Sequence, residues 1–131
     1  MPEIYGSDID PAAIELAKAN AELAGVDDCI TFEVKPVQDT ELYGDYGCLI
    51  TNPPYGERLG DVKEVENMYR ALGGIMHENS TWSTYVITSM EYFEKLFGKK
   101  ASAKRKLFNG RIKIDYYQFY GPRPPKKKEE E

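Results

Sequence analysis

Histidine and cysteine are nearly absent from this chain, which holds one of the first, His77, and two of the second, Cys29 and Cys48. The cysteines are far apart, each inside a strand-like run. They match neither a zinc spacing nor a redox pair, so buried free thiols are expected. His77 falls on a helical pattern away from the motif described below and receives no catalytic role. Long apolar runs are missing too, and nothing approaches the ~20 residues a membrane span requires. The opening Met1-Pro2-Glu3-Ile4 is neither basic nor apolar enough for a signal segment. A cytoplasmic location and no membrane partner are the expectation.

Basic residues are scarce through most of the length. Residues 1–94 hold five Lys or Arg against eighteen Asp or Glu, a charge of −13, whereas 95–128 hold twelve against Asp115 alone, a charge of +11. The last three glutamates bring the total to −5. The sum argues against a nucleic-acid partner, but the distribution leaves a basic last third around Lys104, Arg105 and Lys106. Such a segment suits phosphate contact through counterion release, and a solvated surface run is the equal alternative. Residues 1–121 read as one domain, and Pro122 to Glu131, rich in Pro, Lys and Glu, as a disordered charged tail.

Strand and helix patterns alternate along the chain. Ile4 to Asp8 reads as a strand ending in an acid. Asp10-Pro11 then caps and starts a helix with a small-residue stripe of Ile14, Ala17, Ala21 and Ala24, stopped by Gly25. Ile30, Phe32 and Val34 alternate in a second strand that Pro36 ends, and Leu49 and Ile50 centre a third. Val62, Val65, Met68 or Tyr69, Leu72, and Ile75 or Met76 recur at helical spacing up to about Asn79. Tyr85 to Thr88 is strand-like, and Thr88 with Glu91 makes a capping box for a helix carrying Met90, Phe93 and Phe97 before Gly98. Leu107-Phe108 and Ile112 to Tyr120 flank Asn109-Gly110, the strongest short hairpin signal available. Trp82 and the cluster Tyr116, Tyr117, Phe119 and Tyr120 are expected in a core rather than on a base-stacking platform. The alternation implies an α/β fold, a mostly parallel sheet closed by a C-terminal antiparallel hairpin.

One motif carries chemistry. Asn52-Pro53-Pro54-Tyr55 follows directly on the strand-like run Tyr46 to Thr51. The two rings fix φ and carry no N–H, so the Asn52 side-chain oxygen and the Pro53 carbonyl are left as paired acceptors, and Tyr55 offers a flat face. An ordinary proline-rich turn is the competing reading. The tetrapeptide resembles the catalytic one of methyltransferases that place a methyl on an amino nitrogen. There, acceptors on the N–H groups localise a lone pair that is otherwise delocalised into a ring, and in-line placement matters more than a strong base.

Taken with Gly6-Ser7-Asp8-Ile9-Asp10-Pro11, Asn20-Ala21, Ala24-Gly25-Val26, the extension Gly56-Glu57-Arg58 and Leu107-Phe108-Asn109-Gly110, the chain resembles the RNA methylase family whose members often carry an RNA-binding THUMP domain. Bacterial 23S rRNA guanine-N2 methyltransferases belong to it. The resemblance covers nearly the whole chain and implies a Rossmann-like class I methyltransferase sheet, S-adenosyl-L-methionine as cofactor and rRNA as partner. It places the ribose hydroxyls on Asp8, whose carboxylate can accept from both. The acid expected after the next strand aligns near Pro36, so adenine is left to Val37, through packing and its backbone N–H, with Asp39 as a substitute. Glu57 and Arg58 would order the active-site loop or meet the RNA backbone, with a surface ion pair as the alternative. Adenine-N6 DNA methyltransferases share Asn-Pro-Pro-Tyr, and a catalytically silent nucleic-acid-binding module is the third reading.

What the resemblance leads one to expect but the chain lacks is a glycine-rich turn for the methionine end of the cofactor. In the expected strand order three-two-one-four-five-seven-six, the first and central strand is missing, between the strand ending at Asp8 and that ending at Thr51. The expectation is therefore a C-terminal portion of a longer enzyme, weakly active or inactive alone. Its two flanking strands would pair directly, leave two unpaired buried edges, which is too costly to persist, or borrow a strand through a homodimer that covers the exposed edge.

Overall fold

In the computed structural model, which describes residues 3–53 and 62–125, the chain divides into two units, Met1–Glu41 and Leu42–Glu131. Pro54, Tyr55, Glu57 and Arg58 lie outside the described residues, as do residues 126–131.

The first unit is a βαβ element. Strand β1 (Ile4–Asp8) pairs in parallel with β2 (Ile30–Val34), from Ile4 opposite Ile30 to Asp8 opposite Val34, and helix α1 (Pro11–Ala24) connects them. The helix begins where local chemistry dictates: Asp10 has extended backbone, its Oδ1 accepts from the Ala12 N–H at 2.9 Å, and Pro11 takes the first helical position. It ends at Gly25, whose φ of 73° places it in the left-handed region while the Val26 N–H returns to Ala21 O at 3.0 Å. Of the expected stripe, Ile14 and Ala21 are buried and Ala17 half-buried, whereas Ala24 in the last turn is exposed. Ile30 and Phe32 are half-buried, and Val34 is exposed. Two strands under one helix supply too little cover to sequester every alternate side chain.

The second unit has a four-stranded sheet in the order β3-β4-β6-β5, with β3 (Cys48–Thr51), β4 (Ser83–Thr88), β5 (Ala103–Asn109) and β6 (Ile112–Phe119). β3 and β4 are parallel, and β6 runs antiparallel to both β4 and β5. Helix α2 (Val62–Glu78) buries Val65, Tyr69, Leu72, Gly73 and Met76, the helical repeat deciding for Tyr69 and Met76 at the two ambiguous positions. Short α3 (Phe93–Phe97) ends at Gly98, φ 85°. The core is aromatic. The Phe93 ring lies 5.1 Å from that of Tyr69 and 5.0 Å from that of Tyr117, and Phe97 lies 4.3 Å from Phe119. Each such ring contributes roughly 1.5–3 kcal/mol by leaving water. Gly73 lets α3 approach: a Cβ there would collide with the Phe97 carbonyl oxygen and stand 2.8 Å from its carbonyl carbon.

Several expectations change. The capping box at Thr88 and Glu91 does not form. Thr88 is fully buried, its Oγ1 hydrogen-bonded to the Tyr69 hydroxyl at 2.8 Å and accepting the Met90 N–H at 3.1 Å, so the helix starts only at Phe93 without a side-chain cap. The thiols are free but not buried: Cys29 is half-buried and Cys48 exposed, because Cys48 shares with Ile50 the open face of an edge strand. His77 is exposed on α2. Tyr117 and Phe119 are in the core as expected, Tyr116 stacks at 6.3 Å on Tyr85, and Tyr120, just past β6, is exposed. The hairpin turn is shifted by one residue. Asn109 pairs with Ile112, which makes Gly110 and Arg111 the central residues, and the φ of 64° at Gly110 is the signature of a type II′ turn.

Within each sheet the order agrees with the expected one, and no strand occupies its central position among the described residues. Among the described residues β1 has β2 as its neighbour in one sheet, and β3 has β4 in the other. Ile4 on β1 and Ile50 on β3 are 49% and 75% exposed.

Candidate active site

The candidate residues sit at the C-terminal ends of parallel strands, where ligands bind in α/β sheets. In the first unit the carboxylate of Asp8 is exposed at the end of β1. Its Oδ1 accepts the Asp10 N–H at 2.8 Å, and its main-chain oxygen accepts the Lys35 N–H at 3.0 Å, tying the turn after β1 to the segment leaving β2. Among the described residues Oδ2 has no hydrogen-bond partner, which leaves acceptor capacity toward solvent. Val37 follows on the same edge, half-buried, as the first residue of a single 3₁₀ turn, Val37–Asp39, closed by the Thr40 N–H on Val37 O at 3.1 Å. As first residue, its own N–H lies outside the bonds of the turn. Asp39 ends the same turn and is exposed.

In the second unit, Asn52 and Pro53 follow Thr51, which is in register with Val86 of β4. Asn52 is exposed and Pro53 buried, so the chain is anchored by the proline ring at the point where the amide side chain emerges. The other end of β3 is clamped. Trp82 covers Gly47 so closely that no side chain fits there, its Nε1–H donates to Gly44 O at 3.0 Å, and the Ser83 N–H donates to Gly47 O at 2.9 Å. The Tyr46 N–H donates to Thr81 Oγ1 at 3.2 Å, holding Tyr46 at a positive φ of 61°. These bonds fix the register that delivers Asn52.

Two buried polar atoms near this end of the sheet were not singled out by sequence reasoning. Asp115, opposite Thr88, is 6% exposed, and among the described residues its Oδ1 has no hydrogen-bond partner, nor has the Tyr117 hydroxyl two residues on. Burial, then the charges of Asp115, Glu94 and Glu91, push the Tyr117 hydroxyl up to about 12. The signal was available in the run Ile112 to Phe119, where strand parity puts Asp115 on the same face as Tyr117 and Phe119.

The structure brings Asp8 and Val37 to one sheet edge in the first unit, and it holds Asn52 and Pro53 together in the second. Pro54 and Tyr55 lie outside the described residues. Lys104, Arg105 and Lys106 are all exposed on β5, but alternation sends Lys104 and Lys106 to one face and Arg105 to the other. An open hollow of about 480 Å³ bordered by Glu94, Lys95, Gly98, Lys99 and Lys100 includes none of the candidate residues.

The family model of UPF0020, described as RMKL-like, methyltransferase domain, matches residues 1–118. The chain belongs to this family. It is 49% identical over 128 residues to YpsC of Bacillus subtilis (strain 168), named as a candidate RNA methyltransferase, covering 97% of this chain and 33% of that protein. It is 37% identical over 124 residues to the ribosomal RNA large subunit methyltransferase K/L of Syntrophotalea carbinolica, covering 91% of this chain and 17% of that protein. Among solved structures, SMU.472, described as a candidate methyltransferase complexed with SAH, superposes with a TM-score of 0.85 at 43% identity, over 92% of this chain and 32% of that one. A predicted N6-adenine-specific DNA methylase from Listeria monocytogenes str. 4b F2365 gives 0.79 at 48% identity, over 91% and 30%. The chain thus spans about a third or less of these proteins. Its fold is that of the Rossmann-like class I methyltransferases, mostly parallel with a terminal antiparallel pair.

Proposed function

We propose that this chain is the acceptor-binding segment of an S-adenosylmethionine-dependent RNA methyltransferase, acting on an exocyclic amine of a ribosomal RNA base, most specifically guanine N2 of 23S rRNA. The observation that carries this is the placement of Asn52 and Pro53 at the C-terminal end of β3, with the ring of Pro53 buried and the amide of Asn52 exposed, in a chain that belongs to a methyltransferase family. The ribosomal assignment is supported by the name of the K/L relative, and the cofactor by the SAH complex of SMU.472.

The residues fit that cofactor. Asp8 has an exposed carboxylate at a strand end, with Oδ2 unpartnered among the described residues, suited to the ribose hydroxyls. Val37 offers a half-buried apolar side chain and an N–H outside its turn for the adenine. When bound, S-adenosylmethionine supplies an already activated methyl group. The chain's part is positional: Asn52 Oδ1 and the Pro53 carbonyl accept from the acceptor amine, localise its lone pair and aim it, with Tyr55 as the stacking face.

The test is transfer of tritiated methyl groups to 23S rRNA by a full-length family member carrying these residues. Asn52→Ala is expected to remove about 2.7–4 kcal/mol of transition-state stabilisation, on the order of 100- to 1000-fold in rate, while calorimetry shows S-adenosylmethionine binding retained. Unchanged turnover refutes the role. The Listeria neighbour favours a second reading, adenine-N6 methylation of DNA; label entering duplex DNA and not rRNA would establish it.

A further inference from the structure

The hairpin tip has an apolar side chain where the fold has no use for one. Lys104, Lys106 and Phe108 alternate on one face of β5, opposite Tyr117, Asp115 and Lys113 of β6 respectively. On that face Tyr117 and Asp115 are buried, whereas Lys113 is exposed and Phe108 is 72% exposed. The cover over this face therefore ends between Asp115 and the tip, and the Phe108 ring stands in solvent beyond it.

Its surroundings are cationic. Lys113 is directly opposite, with Cβ atoms about 5 Å apart in such a pair. Lys106 is two residues back, about 6.8 Å along the strand. Arg111 occupies the turn. The only carboxylate on either strand is Asp115, 6% exposed, so no exposed acid on β5 or β6 offsets these charges. Lys104 is engaged differently, its Nζ lying 5.6 Å from the centroid of the Tyr117 ring.

We propose that the β5–β6 tip is a contact surface for unpaired RNA, with Phe108 stacking on a base and Lys106, Lys113 and Arg111 meeting the flanking phosphates. An accessible π-face bordered by cations is the combination that binds single strands, because every base has a face to stack and every linkage a charge. A second copy docking tip to tip would oppose like charges. The surface deepens the RNA reading above and rests on it. It assigns the tip a task apart from the chemistry at Asn52: holding a single-stranded neighbour of the target nucleotide.

The experiment is fluorescence polarisation of the full chain with a labelled, unstructured RNA of about 12 nucleotides. Phe108→Ala is expected to weaken binding roughly tenfold with an unchanged salt slope, and Phe108→Trp to restore it. Lys106→Gln with Lys113→Gln is expected to reduce the slope of log affinity against log salt by about 0.7 per lysine. The exposure of Phe108 makes misfolding an unsuitable excuse, and circular dichroism confirms the fold of each variant. Native binding with an unaffected Phe108→Ala variant overturns this proposal and leaves the RNA reading standing. A native chain with no affinity for the oligonucleotide at low salt also overturns this proposal, whereas the RNA reading falls only if the full-length family member transfers no methyl to rRNA. A Phe108→Ala variant that keeps RNA affinity but converts a dimer to a monomer in sedimentation assigns the tip to a chain–chain contact and overturns the proposal.

Discussion

Gly73 and Gly74 are adjacent in α2 and differ in what lies beside them, so their alanine variants form a matched pair. A Cβ on Gly74 meets nothing within 4 Å. That substitution replaces the poorest non-proline helix former with the best, and stability should rise by about 0.4–1 kcal/mol. A Cβ on Gly73 meets the backbone of Phe97: its carbonyl oxygen in collision, its carbonyl carbon at 2.8 Å and its Cα at 3.1 Å. No rotamer change relieves a backbone clash, so α3 must move bodily away from α2. Phe93 and Phe97 would be pulled from Tyr69, Tyr117 and Phe119, the rings they touch at 4.3–6.1 Å. Because both variants gain the same propensity, the gap between them isolates the overpacking cost, about 1–3 kcal/mol, with the upper end expected here. Urea unfolding followed by far-ultraviolet circular dichroism measures it, provided the two denaturant slopes agree. If Gly73→Ala is as stable as Gly74→Ala, the close approach of α3 to α2 is not a property of the molecule.

Two other positions make sharp predictions. Tyr117 is held above its ordinary value of 10.0, at about 12, so the unfolded chain gives up that proton first as pH rises. The stabilisation is complete below pH 10 and lost through pH 12, a swing of roughly 2–3 kcal/mol. Tyr117→Phe should flatten that alkaline decline and, by removing a buried hydroxyl with no partner among the described residues, raise stability at neutral pH by about 1 kcal/mol; an unchanged alkaline profile in urea titrations would refute it. Asp10→Ala should cost about 1 kcal/mol and speed amide exchange at Ala12, with Asp10→Asn nearly neutral, since an amide oxygen caps as well; equal exchange in all three proteins would show the cap to be idle.

Local chemistry was legible in the sequence, and competition between distant residues was not. Helix α1 needs only Asp10, Pro11 and Gly25, all within reach of its own backbone, and its bounds came out as written. The placement of Asp8 and Asn52 at strand ends followed equally well, because an acid or an Asn-Pro step after an apolar run marks where a strand stops. Thr88 looked like a cap for the segment after β4, but Tyr69, nineteen residues earlier, takes its hydroxyl into the core, and no window around Thr88 contains that information. Cys48 looked buried because its neighbours are apolar, yet burial depends on what covers an edge strand. Asp115 looked like the lone acid of a basic surface, although its parity with Tyr117 and Phe119 already pointed inward, and the register against Thr88 bears that parity out. The same parity splits Lys104 and Lys106 from Arg105, three residues that composition treats as one patch.

Trp82 is the chain's single tryptophan, and its indole is pinned over Gly47, just before the strand that Asn52 follows. Its emission is consequently a native reporter with one address: excited selectively, it senses whether β3 is seated beside β4. The protein carries its own optical gauge of whether the strand presenting the acceptor amide is in place.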